Sequence, residues 1–567
     1  KTIMIIADLH PGLPFFLGAL VVLVTPLRYR WIPLLLTPLL GFINLMGWEL
    51  GTTTELTFLG FTLNPVRVDR LSYLFGILFH IAAFLGILFS LHLKDRMQHI
   101  AGLCYAGSAI GAVFAGDLLT LFIFWELLAL TSSLLIFARR EPRAFRSGTR
   151  YLIFQVGSGI LLLAGTIVYF NDSSSLLFEH IGLTSTAGWL IFLAFGIKSA
   201  FPLLHNWLTD AYPEATPTGT VFLSAFTTKV AVYALARGFP GTELLIYIGV
   251  TMTCFPIFYA VIENDLRRVL AYSMINQIGF MICGIGIGTE LAINGAISHA
   301  FNDVIFKSLL MMTMGAVLFR TGKINGSDLG GLYKSMPKTA AFCLIGAASI
   351  SAFPLFSGFV SKSMVMAAAL EEGYHWVWIG LLFASAGVFH HAGIKIPFFA
   401  FFSHDAGIRV KEAPTNMLFA MGLAALLCIG IGSYPWILYD LLPFPVSYLP
   451  FDNTHVIAQL QLLFFSALAF VWLKLSGIYP PELRSINLDF EWVYRKLVPT
   501  QFSNLVSGYQ RFAEIAHRLW VYSSRRLEVA GRRLHGPDGQ LSKTWMTGSM
   551  IVIVLLTLSA VLLKNLL

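Results

Sequence analysis

Apolar runs of about 20 residues, the length that crosses a bilayer's hydrocarbon core as a helix, recur along the chain between short polar turns. They predict sixteen spans. The first three lie at about 11–27, 31–49 and 69–91. The next five are about 98–115, 117–138, 147–170, 185–205 and 216–237. Then follow 243–262, 267–288, 292–320, 338–370, 375–402, 415–440 and 456–476, and a last span at 545–566. Thr52 to Pro65 is Thr-rich and alternates like a short hairpin. The run after His10 has no small-residue cleavage site and reads as a first span, not a signal peptide. Lys1 at the start suggests that an initiator residue or short segment is missing. The expected fold class is therefore an all-α polytopic membrane protein.

Composition agrees: of 567 residues 56% are hydrophobic and only 12% charged, too few charges to cover a soluble protein of this length. The net charge of +8 does not point to nucleic acid, because the basic residues sit in short loops, where they set orientation. Arg139, Arg140, Arg143, Arg146 and Arg150 mark the loop after span five as cytoplasmic. Alternation then places Arg28, Arg30, Lys94, Arg96, Arg267, Arg268, Arg320, Lys323, Lys334, Lys338, Arg409 and Lys411 on the same side. Arg67, Arg70 and Arg237 are exceptions. Both termini come out external, in a cell membrane expected to be the bacterial inner membrane. The five cysteines fall in apolar segments with no C-x-x-C, so no iron–sulfur or zinc site is expected.

Two spans look broken. Span seven has Pro202 mid-segment and span twelve has Pro354 and Gly358. Proline removes a helix hydrogen bond, and freed backbone groups at membrane depth survive only where protein or a water-filled cavity receives them. Two interrupted spans, five apart, point to inverted repeats about an ion path.

Ionisable residues inside the spans are the informative feature. Lys198, Lys229, Lys307, Lys362 and Lys395, with Glu126, each cost about 2.5–3.5 kcal/mol on the insertion scale, on the order of 15 kcal/mol together. Pairing or internal water must offset that. A buried lysine near a movable carboxylate can load and release a proton, so Glu126 and Lys198 are the expected switch pair, with Lys229 next. His299, Asp303 and Lys307, spaced by four, share one helix face and extend the relay. Lys395 is either a relay member or a snorkelling residue at the cytoplasmic edge. His390 and His391 beside it are a poor metal site, because adjacent residues diverge on a helix. His205 and Asp210 are either a proton entrance or a polar turn. Asp117 reads as a helix N-cap. No Rossmann, flavin, quinone or metal motif is visible, so no cofactor and no enzymatic activity of the chain's own are expected.

These residues resemble those of the antiporter-like subunits shared by respiratory complex I, membrane-bound hydrogenases and Mrp-type cation/proton antiporters. Four motifs carry the resemblance: Trp125-Glu126, the run Lys198 to Ala211, the run His299 to Lys307, and the run Phe353 to Lys362. The stretches TGTVFLSAFTTKVAVYALAR and ENDLRRVLAYS are most similar to the D-type component of the Mrp group. The resemblance implies proton-path roles for Glu126, Lys198, Lys229, His299, Lys307 and Lys362. It also implies two inverted five-helix repeats, spans four to eight (98–237) and nine to thirteen (243–402). Spans one to three with the hairpin (1–97), spans fourteen and fifteen (415–476), and a C-terminal segment (482–567) would flank them. Thr209 and the ATPTGTVFL stretch depart from the family pattern at the expected half-channel entrance. The basic segment Glu482 to Lys543 and the sixteenth span resemble the C-terminal extension of the large complex I subunit, which contains a long lateral helix, although Pro499 and Pro537 argue against one unbroken helix here. Between those prolines, Phe502 to Leu534 mixes apolar and basic residues. It reads either as a surface-lying amphipathic helix or as a solvated cytoplasmic linker.

The expected function is a proton-translocating subunit of a multisubunit complex, most simply Mrp-type Na+/proton antiport. The expected partners are other membrane subunits, the lipid bilayer, protons and Na+, and no nucleic acid. A redox-driven or hydrogenase-linked proton pump, the membrane partner of an inorganic-carbon uptake enzyme, and an inactive scaffold are the alternatives.

Overall fold

The computed structural model describes residues 9–484, 487–539 and 541–566. It is mostly helical. Among the described residues, eleven helices are long and apolar enough to cross a membrane; Leu13–Val24, Trp31–Met46, Thr186–Lys198 and Pro337–Ile350 are apolar but shorter. The chain divides into two units, Lys1–Asn487 and Leu488–Leu567.

In the first unit, α1 (Leu13–Val24) and α2 (Trp31–Met46) precede the expected hairpin, β1 (Leu56–Phe58) against β2 (Phe61–Leu63), antiparallel with Thr57 opposite Thr62. Next come α3 (Arg70–Ser90), α4 (Arg96–Phe114), α5 (Leu118–Phe137) and α6 (Pro142–Ser173). Asp117 caps α5 as read: its carboxylate accepts from the Thr120 N–H (2.7 Å) and also from the Asn64 N–H (2.7 Å), which ties the hairpin to the helices.

The two expected breaks are present and nearly identical. α7 (Thr186–Lys198) stops before α8 (Asn206–Ala211), and α14 (Pro337–Ile350) stops before α15 (Ser357–Glu371). Each gap opens with the same five residues, Ser-Ala-Phe-Pro-Leu, at 199–203 and 351–355. In both, the alanine and the leucine take positive φ: 62° and 71° in the first, 58° and 73° in the second. Non-glycine residues adopt this conformation at a cost of about 1–3 kcal/mol each, which the surrounding structure must sustain. In both, the phenylalanine N–H reaches back five residues, Phe201 to Gly196 O (2.9 Å) and Phe353 to Ala348 O (3.0 Å). Side chains reach the carbonyls at the breaks: the Trp207 indole donates to Ile197 O (2.8 Å), which also accepts the Ala200 N–H (3.1 Å), and the Lys362 ammonium donates to Ile350 O (3.0 Å).

Two more interruptions were not expected. The span read as continuous over 216–237 is α9 (Gly219–Ala225) and α10 (Thr227–Gly238), interrupted at Phe226, where the Tyr105 hydroxyl accepts the Thr227 N–H (3.0 Å). After α11 (Glu243–Ile262), α12 (Leu266–Ile287) and the 32-residue α13 (Glu290–Thr321), α16 (His375–Val388) passes into wide π-type turns over Phe389–Lys395 and Phe398–Phe402. α17 (Thr415–Ser433), the short α18 (Trp436–Tyr439) and α19 (Asn453–Leu475) complete this unit.

The second unit holds α20 (Val498–His535) and α21 (Thr547–Leu566). The two prolines bound α20 and do not break it: Pro499 lies in its first turn and Pro537 just past its end.

Candidate functional site

The intramembrane charges lie on the interrupted helices and their neighbours, and all five lysines are buried. They form three groups.

In the first, Lys198 ends α7. Its ammonium donates to Trp125 O (2.5 Å) and sits 4.3 Å from the centroid of the Trp125 indole, whose N–H is held by Ser158 Oγ (3.0 Å). Glu126 is within electrostatic reach of Lys198. Among the described residues its Oε1 has no hydrogen-bond partner, and it lies against Gly159 of α6. The direct partner of Lys198 is therefore the neighbouring tryptophan, while Glu126 occupies a pocket that only a glycine leaves open.

The second group is the centre of the molecule. Lys229 of α10 pairs with Asp303 of α13 at 2.5 Å, both side chains wholly buried. Lys307 and Lys362 are within electrostatic reach of the same aspartate. One carboxylate thus faces three lysines, so the cluster cannot hold three full positive charges without further compensation. Each lysine has a polar rest position: Lys307 donates to Ser273 Oγ (2.9 Å), Lys362 to Ile350 O, and Lys229 is within 3.4 Å of Ser224 O at the Phe226 interruption. His299 bridges the layers, Nδ1 to Ser361 Oγ at 3.0 Å and Nε2 to Gln277 Oε1 at 3.1 Å. Gln277 in turn donates to Asn276 Oδ1 (2.7 Å).

The third group surrounds Lys395. It does not snorkel to solvent. Its ammonium donates to Ala260 O (3.2 Å), Val261 O (2.6 Å) and Glu263 O (2.6 Å) at the C-terminal end of α11, and pairs with Glu482 at 3.0 Å. Helix C-terminal carbonyls attract cations, and the π-type turn carries Lys395 to them. Burial pushes the Glu482 carboxyl above the usual range, with Lys395 pulling it back. His391 is buried and lies within electrostatic reach of both Lys307 and Lys395.

His205 is buried, its ring 4.8 Å from Phe255. Asp210 accepts two bonds from the Arg150 guanidinium (2.7 and 3.1 Å). Glu214 gathers Arg143 (2.6 Å), Arg139 (3.7 Å) and Arg268 (3.8 Å). Glu482, Glu263, Gln277 and Gly159 were not among the candidates read from the sequence; Asp303 was read there as part of the His299–Lys307 relay face, and His391 only as a poor metal ligand. What the sequence did not give for Asp303 was its partner, Lys229. Glu482 lies outside every apolar run and carries no sequence signal. Among the described residues no group of His, Cys, Asp and Glu has the geometry of a metal site.

Broken spans with a buried row of lysines, a few histidines and few carboxylates are the make-up expected of an antiporter-like membrane subunit. The chain belongs to the family described as NADH:quinone oxidoreductase/Mrp antiporter, TM, which matches residues 115–404. It is 30% identical to the A-type component of the Na(+)/H(+) antiporter of Alkalihalophilus pseudofirmus over 66% of this chain and 53% of that protein. It is 31% identical to the D-type component of the same antiporter over 47% of this chain and 58% of that protein. The chain thus spans about half the length of the curated relatives it matches. Its fold superposes on a chain of the membrane-bound sulfane sulfur reductase, an archaeal respiratory membrane complex, with a TM-score of 0.72. That match has 20% identity and covers 98% of this chain and all of the other.

Proposed function

We propose that this chain is a proton-translocating, antiporter-like subunit of a multisubunit membrane complex, and that the complex performs Mrp-type exchange of a monovalent cation, Na+, for protons. The observation that carries the reading is the wholly buried Lys229–Asp303 pair with Lys307 and Lys362 about the same carboxylate. A static pair needs one lysine. Three lysines around one acid give a proton several alternative sites, and Asp303 neutralises whichever is charged. The path runs from Glu126 and Lys198 through Lys229, Asp303, Lys307, His299 and Lys362, with His391 linking Lys307 to Lys395 and Glu482. His205 and Asp210 serve its cytoplasmic entrance. The whole comprises sixteen spans with inverted repeats at 98–237 and 243–402. The repeated Ser-Ala-Phe-Pro-Leu break supports that symmetry.

Lys229→Arg and Asp303→Asn in the assembled complex are the test. Arginine retains charge but gives up no proton at attainable pH. Na+-dependent proton exchange in inverted vesicles should fall by about a hundredfold or more in both variants, the lower end of what a proton-transfer group contributes. Wild-type exchange in assembled Lys229→Arg would show that Lys229 is only a fixed charge. A second reading, a proton-pumping subunit of a redox-driven complex, is favoured by the C-terminal α20 and α21, which the respiratory-complex superposition includes by its coverage. Exchange that needs an electron donor and ignores Na+ would select it.

A further inference from the structure

α19 is apolar and largely exposed along its length, yet Asp452, His455 and Gln459, at its cap and on one face of its first two turns, are polar. A polar stripe on a membrane helix is costly unless it faces protein or water. This one faces two cavities. The outer is about 730 Å³, lined by Glu290, Glu371 and Asp452. The second is about 170 Å³, and Lys362, Ser363, Met366 and Ala458 are among its lining residues. Ala367, Leu370, Thr454 and His455 line both, so the two cavities adjoin at His455. The outer cavity lies at the Glu290 end of α13, away from the basic end at Arg320. By the bias of basic residues to the cytoplasm, that face is external.

We propose that His455, oriented by Asp452, is the outer terminal of the proton path, exchanging protons between an external vestibule and Lys362. This rests on the proton-path reading above. The geometry is that of a positioned acid–base group. The Asp452 carboxylate accepts from the His455 backbone N–H at 2.6 Å and from its ring Nδ1 at 2.7 Å. A ring that donates Nδ1–H to a carboxylate keeps Nε2 free to accept a proton. The three vestibule carboxylates raise the local concentration of cations, hydronium included. Gln459, one helical turn further in, donates to Ser351 O (3.1 Å) and so satisfies a carbonyl of the second break. The route therefore reaches the interrupted helix at the point where its backbone opens. Lys362 is within electrostatic reach of His299, which is held by Ser361 Oγ.

The test uses the assembled complex with the five native cysteines replaced. Met366→Cys lines the second cavity. A positively charged, membrane-impermeant thiol reagent applied to right-side-out vesicles should modify it and stop proton flux. No modification, or modification from the cytoplasmic side alone, overturns the route. His455→Gln should cut flux by about a hundredfold with assembly intact, and Asp452→Asn should cut it less. Wild-type flux in His455→Gln overturns the role of the histidine. Labelling needs no transport, so a wild-type complex that moved no protons would sink the proton-path reading while the labelling still decided whether the cavity opens outward.

Discussion

At the scale of residues, the packing of Glu126 makes a sharp prediction. A Cβ on Gly159 would fall on its carboxylate, whereas Gly157, two residues away on the same helix, has open space around it. Gly159→Ala must push the carboxylate from its place near Lys198. Transport in the assembled complex should drop by about a hundredfold, as if a positioned proton-transfer group were lost. Gly157→Ala should leave transport unchanged and stabilise the helix by up to about 1 kcal/mol. Equal transport in the two variants, measured as proton flux in vesicles, would show that the position of Glu126 does not matter. The row of lysines was legible in the sequence because each breaks an apolar run. Which carboxylate faces which lysine was not. Asp303 is 74 residues from Lys229, and only the packing of α10 on α13 brings them together.

At the scale of elements, the hairpin and both proline breaks were readable because alternation and proline are local signals. The interruption at Phe226 was not: Ser224, Ala225 and Thr227 contain no breaker, and the break is held by Tyr105, distant in sequence. The strap at 476–484 was also invisible. It is fixed by packing: Tyr479 is buried among Phe470 (5.2 Å), His390 (5.5 Å) and Phe399 (6.3 Å). Pro480 and Pro481 restrict the chain before Glu482, and beyond it Arg484 pairs with Asp328 at 2.8 Å. The strap therefore delivers a buried carboxylate to Lys395 at low entropic cost. Glu482→Ala leaves a buried ammonium with carbonyls alone and should destabilise the protein by about 3–5 kcal/mol, the penalty for removing one partner of a buried pair. Glu482→Ala combined with Lys395→Met should recover most of that. Thermal unfolding of the purified protein decides, and a double variant no more stable than the single one would mean that the pair does not carry the effect.

At the scale of the whole molecule, the distribution of charge argues for one topology. The Glu214 cluster gathers Arg139, Arg143 and Arg268, so two of the basic loops expected on the cytoplasmic side converge on one carboxylate. The acidic residues Glu290, Glu371 and Asp452 collect around one cavity at the opposite end of α13 from Arg320. In the C-terminal unit, Arg511, Arg518, Arg525 and Arg532 recur every seven residues, which places them along one side of α20. Phe502, Leu505, Tyr509, Phe512 and Leu519 follow the three-four spacing of another side. A helix with those two faces suits a membrane surface rich in anionic headgroups. If, as proposed, fifteen spans start outside, the chain is inside by Leu475, and on that topology α20 should be cytoplasmic and α21 should return the chain outward. Cysteines placed at Ser507 and Ser523, both exposed on α20, should react with a membrane-impermeant thiol reagent in inverted vesicles and stay unlabelled in intact cells. Labelling of intact cells would reverse the orientation of α20, and with it the external assignment of the His455 vestibule, since both follow from the same count of crossings and the same bias of arginine and lysine.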